Sequence, residues 1–354
     1  TGSVGKTTTK EAIAFVLAQR YQTLKNEGNR NNEIGLPLTL MELGSQQYAV
    51  LEMGMYALGE IRSLCELAMP QIGVVTNVGP VHLERLGTIE RVADAKAELV
   101  EALPEDGVAV LNGDDPWVAA MRTRTTARSV TFGQGPQNDV WADTIVSHGL
   151  AGTGFCVHVK DTGLGLRRDT CQLRLYTLGG HTVMAALPAV AIGLMAGMTW
   201  KEIQAGLLLQ GHGSRLVPRV GLGGITLLDD TYNASPASTL AALSVLAESS
   251  GRRLAVLGDM LELGAYEEEG HRLVGQRCAD TIDLLITVGP RARLIGEAAR
   301  EAGLSAGALW MVEDNASAIQ VLRDLILEGD TILIKGSRSM GMEAIVAAFE
   351  ERTA

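Results

Sequence analysis

The chain has 354 residues, 46% hydrophobic and 20% charged, enough for two or three packed domains of a globular protein. Its 41 acidic and 30 basic residues leave a formal charge of -11 with no basic run, which argues against a nucleic-acid partner, since a phosphate-backbone binder needs a basic surface. Cys65, Cys156, Cys171 and Cys278 have neither C-x-x-C spacing nor the density of a secreted scaffold, so a reducing compartment, the cytoplasm, is expected.

Thr1 to Thr9 read T-G-S-V-G-K-T-T-T, most of a phosphate-binding loop, and a helix is predicted from about Thr8 to Leu24. Gly2 and Gly5 let the backbone around Ser3 and Val4 turn its N–H groups toward a polyphosphate. Lys6 can reach the β- and γ-phosphates, and Thr7 can offer its hydroxyl to Mg²⁺. The positive N-terminal end of the helix at Thr8 adds to this cradle. In the strict G-x-x-x-x-G-K-T pattern the first glycine and the strand leading into it would precede Thr1, and there is no initiator Met, so the chain is expected to start inside the motif. Nucleotide binding is the working expectation.

Apolar runs at Tyr48 to Leu51, Ile72 to Thr76 and Val108 to Leu111 are each followed by a helical stretch, the signal of a parallel sheet with crossover helices. Ligands gather at the carboxyl ends of such strands. Glu52 closes the first run, where it can hold Mg²⁺ opposite Thr7 or be a solvated strand-end acid. Asn77 and His82 follow the second run; a histidine in a Gly/Pro loop at a strand end is a metal or phosphate candidate, while a lone histidine is usually structural. Lys96 lies on a helix whose apolar positions Ile89, Val92, Ala93, Leu99 and Val100 recur at helical spacing, and composition alone reads it as a surface lysine.

From Ala127 to Tyr176 a Thr, Val and Gly texture with short alternations suits antiparallel hairpins, a β-rich extension of the first domain. Helices are predicted over His181 to Gly197 and Thr199 to Leu209. The apolar run Val183 to Met198 is shorter than the roughly 20 residues a membrane helix needs and contains Pro188, Gly193 and Gly197, so it reads as a buried helix with no membrane insertion. Residues 210–215, Q-G-H-G-S-R, are the candidate hinge, dividing the chain into domains 1–215 and 216–354.

Beyond it a second βα series has strands near Ile225 to Leu228, Arg253 to Leu257, Leu284 to Val288 and Thr331 to Ile334. Its first strand leads to Asp229-Asp230-Thr231-Tyr232-Asn233-Ala234-Ser235-Pro236. Ser235 is a good N-cap and Pro236 a good first helical residue, but two carboxylates with Tyr232 and Asn233 exceed what capping requires. Lys335-Gly336-Ser337-Arg338-Ser339 ends the last strand as a carboxylate or phosphate cradle, or as a plain basic turn. The fold expected is α/β, a mostly parallel phosphate-loop domain with a β-rich extension followed by a Rossmann-like domain.

Taken together, T-G-S-V-G-K-T-T-T-K-E, Asn31-Asn32-Glu33-Ile34-Gly35-Leu36-Pro37, Leu51-Glu52-Met53-Gly54, the His82 loop, Ala95-Lys96, the Asp229 to Ala234 segment, Gly258-Asp259-Met260 and Lys335-Gly336-Ser337-Arg338 resemble a Mur ligase along nearly the whole chain. The N-N-E-I-G-x-P, D-D-x-Y-N-A-S-P and K-G-S-R-S segments favour the family member that adds D-Ala-D-Ala. The resemblance implies a monomeric, three-domain enzyme of peptidoglycan synthesis whose domain for the uridine nucleotide lies outside this chain. ATP would phosphorylate the carboxylate of UDP-N-acetylmuramoyl tripeptide, and the amine of D-Ala-D-Ala would attack the acyl phosphate.

Carried over by resemblance, Lys6 and Thr7 would serve phosphate and Mg²⁺, with Glu52 and His82 as further metal-site residues. Lys96 matches the family lysine that becomes carbamoylated, an anion able to support a second Mg²⁺. Arg215 and Asp230 would touch the nucleotide. Asn31, Asn32, Asn77 and Tyr232 are expected on the substrate side, and Asn233, Lys335, Ser337 and Arg338 near the dipeptide or acyl phosphate. One departure stands out: where the family has H-N-x-x-N, this chain reads His181-Thr182-Val183-Met184-Ala185, so both nucleotide-holding amides are replaced. A Mur-type ligase for another amino acid, or a nucleotide-binding module without turnover, are the competing readings.

Overall fold

A computed structural model describes residues 1–28, 30–81, 83–148, 152–176, 179, 181–209 and 216–351, and the chain divides into two units, Thr1–Gly213 and Ser214–Ala354. In the first unit, α1 (Lys6–Leu17) starts at Gly5, whose φ of 83° is open to glycine at no steric cost. The helix ends at Leu17, short of the expected Leu24, because the next residues are drawn toward another segment. The Tyr21 hydroxyl donates to the Ala196 carbonyl at 2.6 Å, and Arg20 donates to the Gly197 carbonyl and pairs with Glu202. Thr23–Lys25 then extend as β1, parallel to β2 (Tyr48–Val50), with α2 (Gly35–Leu40) between them.

The remaining elements of this unit are α3 (Glu60–Ala68), β3 (Ile72–Val75), α4 (Leu83–Leu86), α5 (Ile89–Glu101), β4 (Val108–Asn112), α6 (Pro116–Ala120), β5 (Arg128–Gly133), β6 (Val140–Ser147), β7 (Thr153–Val159), β8 (Asp169–Leu175), α7 (His181–Met195) and α8 (Trp200–Leu209). A six-stranded sheet runs β3-β4-β5-β6-β7-β8. It is parallel from β3 to β6 and antiparallel from β6 to β8, so the hairpin expectation applies to β6, β7 and β8 but not to β5. Alternation along β4 shows why both faces are covered. Val110 joins Val130 and Phe132 beneath α1 and α7, while Ala109 and Leu111 join Leu99 and Val100 of α5. Val183, Ala186, Leu187 and Val190 of α7 are fully buried, as the apolar run suggests, and no helix among the described residues is long and apolar enough to cross a membrane.

The second unit contains β9 (Val217–Val220), β10 (Thr226–Asp230), α9 (Pro236–Ala247), β11 (Arg253–Gly258), α10 (Glu267–Thr281), β12 (Leu284–Val288), α11 (Arg293–Glu301), β13 (Leu309–Val312), α12 (Asn315–Leu325), β14 (Thr331–Lys335) and α13 (Glu343–Phe349). Its sheet order is β13-β12-β11-β14-β10-β9, parallel except for β9. Leu227, Leu254, Val256, Ile332 and Ile334 pack against Leu322, Ile345 and Phe349 in its core. Ser235 caps α9 in a reciprocal capping box with Ser238, and Pro236 opens the helix.

Candidate active site

The phosphate loop is fastened to the carboxyl end of β3. Thr1 O accepts from Thr76 N at 3.0 Å, and Ser3 N donates to Asn77 O at 3.0 Å. The Asn77 side chain grips Val4 at both ends, Oδ1 accepting from Val4 N and Nδ2 donating to Val4 O, each at 2.8 Å. Thr76 Oγ1 also donates to Val4 O, and the Ser3 hydroxyl exchanges hydrogen bonds with Gly79. Gly2 is obligatory here, since a Cβ on it would lie 1.9 Å from Thr76 Oγ1. Lys6 Nζ donates to Gly2 O at 3.0 Å, which curls the cation back over the loop. Thr7 and Thr8 occupy the first turn of α1, where an α-helix has no intrahelical acceptors for its N–H groups.

Glu52, only 5% exposed, follows β2, and Asn26 fixes its backbone: Asn26 Oδ1 accepts from Glu52 N at 2.9 Å and Nδ2 donates to Glu52 O at 3.0 Å. Lys10 Nζ in turn donates to Asn26 O at 2.6 Å. Asn31 Nδ2 donates to Glu52 Oε1 at 2.8 Å, whereas Oε2 is buried with no hydrogen-bond partner among the described residues. A buried carboxylate oxygen with no donor fits a cation, so the residues present suit a divalent metal. Asn32 Oδ1 accepts from Gly35 N and opens α2. Lys96 is 2% exposed on α5; burial, reinforced by the charge of Lys6, holds its ammonium well below the ordinary lysine range. It is therefore a buried group whose neutral amine is favoured, rather than a surface cation.

In the second unit, Asp230 and Lys335 are register partners at the carboxyl ends of β10 and β14. Lys335 Nζ donates to Asp230 Oδ2 at 2.5 Å and to Asn233 O at 2.8 Å, both side chains being buried. Asp230 Oδ1 is buried without a hydrogen-bond partner among the described residues. The adjacent Asp229 instead binds Arg219 and Thr231, so the two acids have different partners. Ser337 Oγ accepts from Leu261 N, and Ser337 N donates to Asp259 O, which ties the Lys335 segment to the Gly258-Asp259-Met260 turn. His271, its pKa lowered by burial, accepts from Met260 N through Nε2 and braces the same turn. Tyr232 lies half-exposed with the Arg338 guanidinium 5.8 Å from its ring centroid.

The first unit thus gathers Lys6, Glu52, Lys96 and Asn31, and the second gathers Asp230, Asn233, Lys335 and Ser337. His82 and Arg215 lie outside the described residues. Thr182, where the resemblance expects an amide, spends its hydroxyl on Gly179 O at 2.7 Å, and Ala185 is buried. Sequence reasoning missed Asn26, Thr76 and Asp115, whose Oδ2 accepts from Val78 N while Oδ1 caps α6. Only Asp115 carried a signal, an Asp-Pro pair at a helix start.

Residues 1–193 match the Mur ligase middle domain, and residues 215–338 match the Mur ligase glutamate ligase domain. The UDP-N-acetylmuramoyl-tripeptide--D-alanyl-D-alanine ligase of Bacillus subtilis (strain 168) is 37% identical over 352 residues, 98% of this chain and 74% of its own. The enzyme of the same name from Escherichia coli (strain K12) is 37% identical over 360 residues, 99% of this chain and 76% of its own. Among solved structures, MurF from Acinetobacter baumannii superposes with a TM-score of 0.86 at 32% identity, covering 98% of this chain and 74% of its own. MurF ligase from Thermotoga maritima in complex with ADP gives 0.82 at 26% identity, covering 98% of this chain and 77% of its own. Two family domains in the family order, and full-name relatives above 30% identity along 98% of the chain, lead to one conclusion: this chain belongs to the Mur ligase family.

Proposed function

We propose that the protein joins D-Ala-D-Ala to UDP-N-acetylmuramoyl tripeptide at the expense of ATP, through an acyl phosphate, in cytoplasmic peptidoglycan synthesis. The observation that carries this reading is Glu52. Its buried Oε2, without a hydrogen-bond partner among the described residues, follows β2 in the same unit as the phosphate loop and Lys6, in a chain 37% identical to a ligase of that name. A carboxylate resists amines until one of its oxygens becomes a leaving group, and transfer of the γ-phosphoryl group supplies that. Lys6 would neutralise charge on the phosphates. Thr7, Glu52 and His82 would hold Mg²⁺, which supplies electrostatic stabilisation of the transferring group.

The neutral amine of Lys96 is the form that adds CO₂: an N–C bond forms, one proton leaves, and the resulting carbamate carries the negative charge a second Mg²⁺ needs. Asn77, whose amide is occupied by Val4, would act on substrate through the loop it holds, while Asn31 and Asn32 flank Glu52 and α2. In the second unit Asp230 Oδ1 offers an acceptor to nucleotide, a role shared with Arg215, and Tyr232, Asn233, Lys335, Ser337 and Arg338 would meet the dipeptide or the acyl phosphate. The protein would work as a monomer.

A second reading, nucleotide binding without turnover, rests on Thr182, whose hydroxyl is committed to Gly179 where the family holds nucleotide with an amide. Isotope tracing separates the two. With ¹⁸O in the terminal carboxylate of the tripeptide, the purified protein should form the pentapeptide product and move one ¹⁸O into each released phosphate. Product with unlabelled phosphate would overturn the acyl phosphate, and nucleotide binding with no product would establish the second reading.

A further inference from the structure

Asp143 on β6 and Cys156 on β7 stand directly opposite in the antiparallel register, and His158 follows Cys156 by two residues. Three different ligand types therefore leave one face of the sheet. It is not the core face, which β7 builds from Phe155, Val157 and Val159 against α1 and α7. One carboxylate oxygen, the Cys156 sulfur and one ring nitrogen of His158 all lie within 4.8 Å of one another. Tetrahedral zinc with bonds of about 2.0–2.3 Å places its ligand atoms about 3.3–3.8 Å apart, so small side-chain rotations close the set.

The surroundings are those of an oriented ligand. His158 Nε2 is 3.0 Å from Asp143 Oδ2, and Nδ1 is 3.2 Å from Thr170 Oγ1 on β8. The threonine hydroxyl both donates and accepts, so it supports the tautomer that leaves Nε2 open to a metal. Trp141 stacks on the ring at 4.9 Å and 15°, fixing its plane. Directly after Asp143 the β6–β7 register shifts, and Thr144 adopts a φ of 49°, a left-handed conformation foreign to a β-branched residue. A bulge of this kind re-aims a side chain, here Asp143, whose Oδ1 also accepts from Thr144 Oγ1. An ordinary surface Asp–His pair accounts for two of the three groups and leaves the buried thiol beside them unexplained.

We propose that Asp143, Cys156 and His158 form a divalent metal site of the zinc class, with the fourth position open to water. Binding releases the thiol proton to solvent and replaces the Asp143–His158 hydrogen bond. A carboxylate and a thiolate then balance the two positive charges. Thiolate and imidazole select zinc or cobalt over magnesium. Three strands separate β7 from β3, which puts the site about 19 Å from the phosphate-loop edge at ordinary strand spacing. Its role is therefore a clamp across the β6–β7 bulge rather than a part of phosphoryl transfer.

Cobalt titration of the metal-stripped full chain tests this. One equivalent should produce a thiolate-to-cobalt absorption band that zinc abolishes and magnesium does not, and zinc should raise the unfolding midpoint. Cys156→Ser should lose the band and the midpoint shift, His158→Gln should bind cobalt at least about tenfold more weakly, and Cys171→Ser should match the parent. Circular dichroism verifies that each variant is folded. Absence of a thiolate band in the parent chain, or its persistence in Cys156→Ser, would overturn the site.

Discussion

An ammonium group loses its proton most readily where water cannot reach it, and Lys96 is such a group on α5. The folded chain binds this proton less readily than the unfolded one. Stability at neutral pH is thereby reduced, and the deficit is relieved as pH rises toward the unfolded lysine value near 10.4. Lys96→Met removes that cost at similar length, so the unfolding midpoint at pH 7 should equal or exceed the parent's while phosphate release falls at least about a hundredfold. A clearly lower midpoint would contradict the burial argument. Asn26 is the complementary case, fully buried with both ends of its amide engaged on Glu52. Asn26→Ala leaves two backbone groups of Glu52 without partners, which should cost about 2–4 kcal/mol in urea denaturation and raise the Mg²⁺ needed for half-maximal turnover. An unchanged urea midpoint would show that water replaces the amide. The phosphate-loop reading comes from the spacing of Gly2, Gly5, Lys6 and Thr7 along the chain. Lys96 and Asn26 act through partners folded onto them from elsewhere, so only a family resemblance pointed to Lys96 and nothing pointed to Asn26.

Among elements, strands that stand as apolar runs ahead of a helical stretch were readable, even the short β2 and β3, and three short strands outside that pattern were not. β1, β9 and β13 have three or four residues each, with half-exposed patterns that carry neither helical nor strand periodicity. β5 was misjudged for a different reason: α6 carries the chain across the sheet and makes its pairing with β4 parallel, a long-range fact that local texture does not hold. The end of α1 depends on the same kind of contact, through Arg20 and Glu202 at the start of α8. The Thr199 hydroxyl, its N–H and Arg20 together bring Glu202 down to about 2. Because the folded value lies below the unfolded one near 4.3, this contribution to stability is present above that pH and lost as pH falls toward 2. Glu202→Gln should therefore flatten the acid limb of the stability curve between those values and leave the curve above pH 5 nearly parallel to the parent's. Identical acid limbs would mean that the pairing is fully screened by solvent.

At the scale of the whole molecule, each unit places its candidate site residues at the carboxyl ends of parallel strands, where ligands gather in α/β sheets. Glu52 follows β2, Asn77 follows β3, Asp230 ends β10 and Lys335 ends β14. The sequence places a boundary between 215 and 216 because strand-helix alternation recurs on either side of a glycine-rich break, and the structure divides into units Thr1–Gly213 and Ser214–Ala354. The most direct measurement is phosphate release from ATP by the purified protein given UDP-N-acetylmuramoyl tripeptide, with D-Ala-D-Ala, with other amino acids, or with no acceptor. The account predicts release that requires D-Ala-D-Ala and is abolished in a folded Lys6→Ala variant. Release that is indifferent to the acceptor, or that survives in Lys6→Ala, would contradict it.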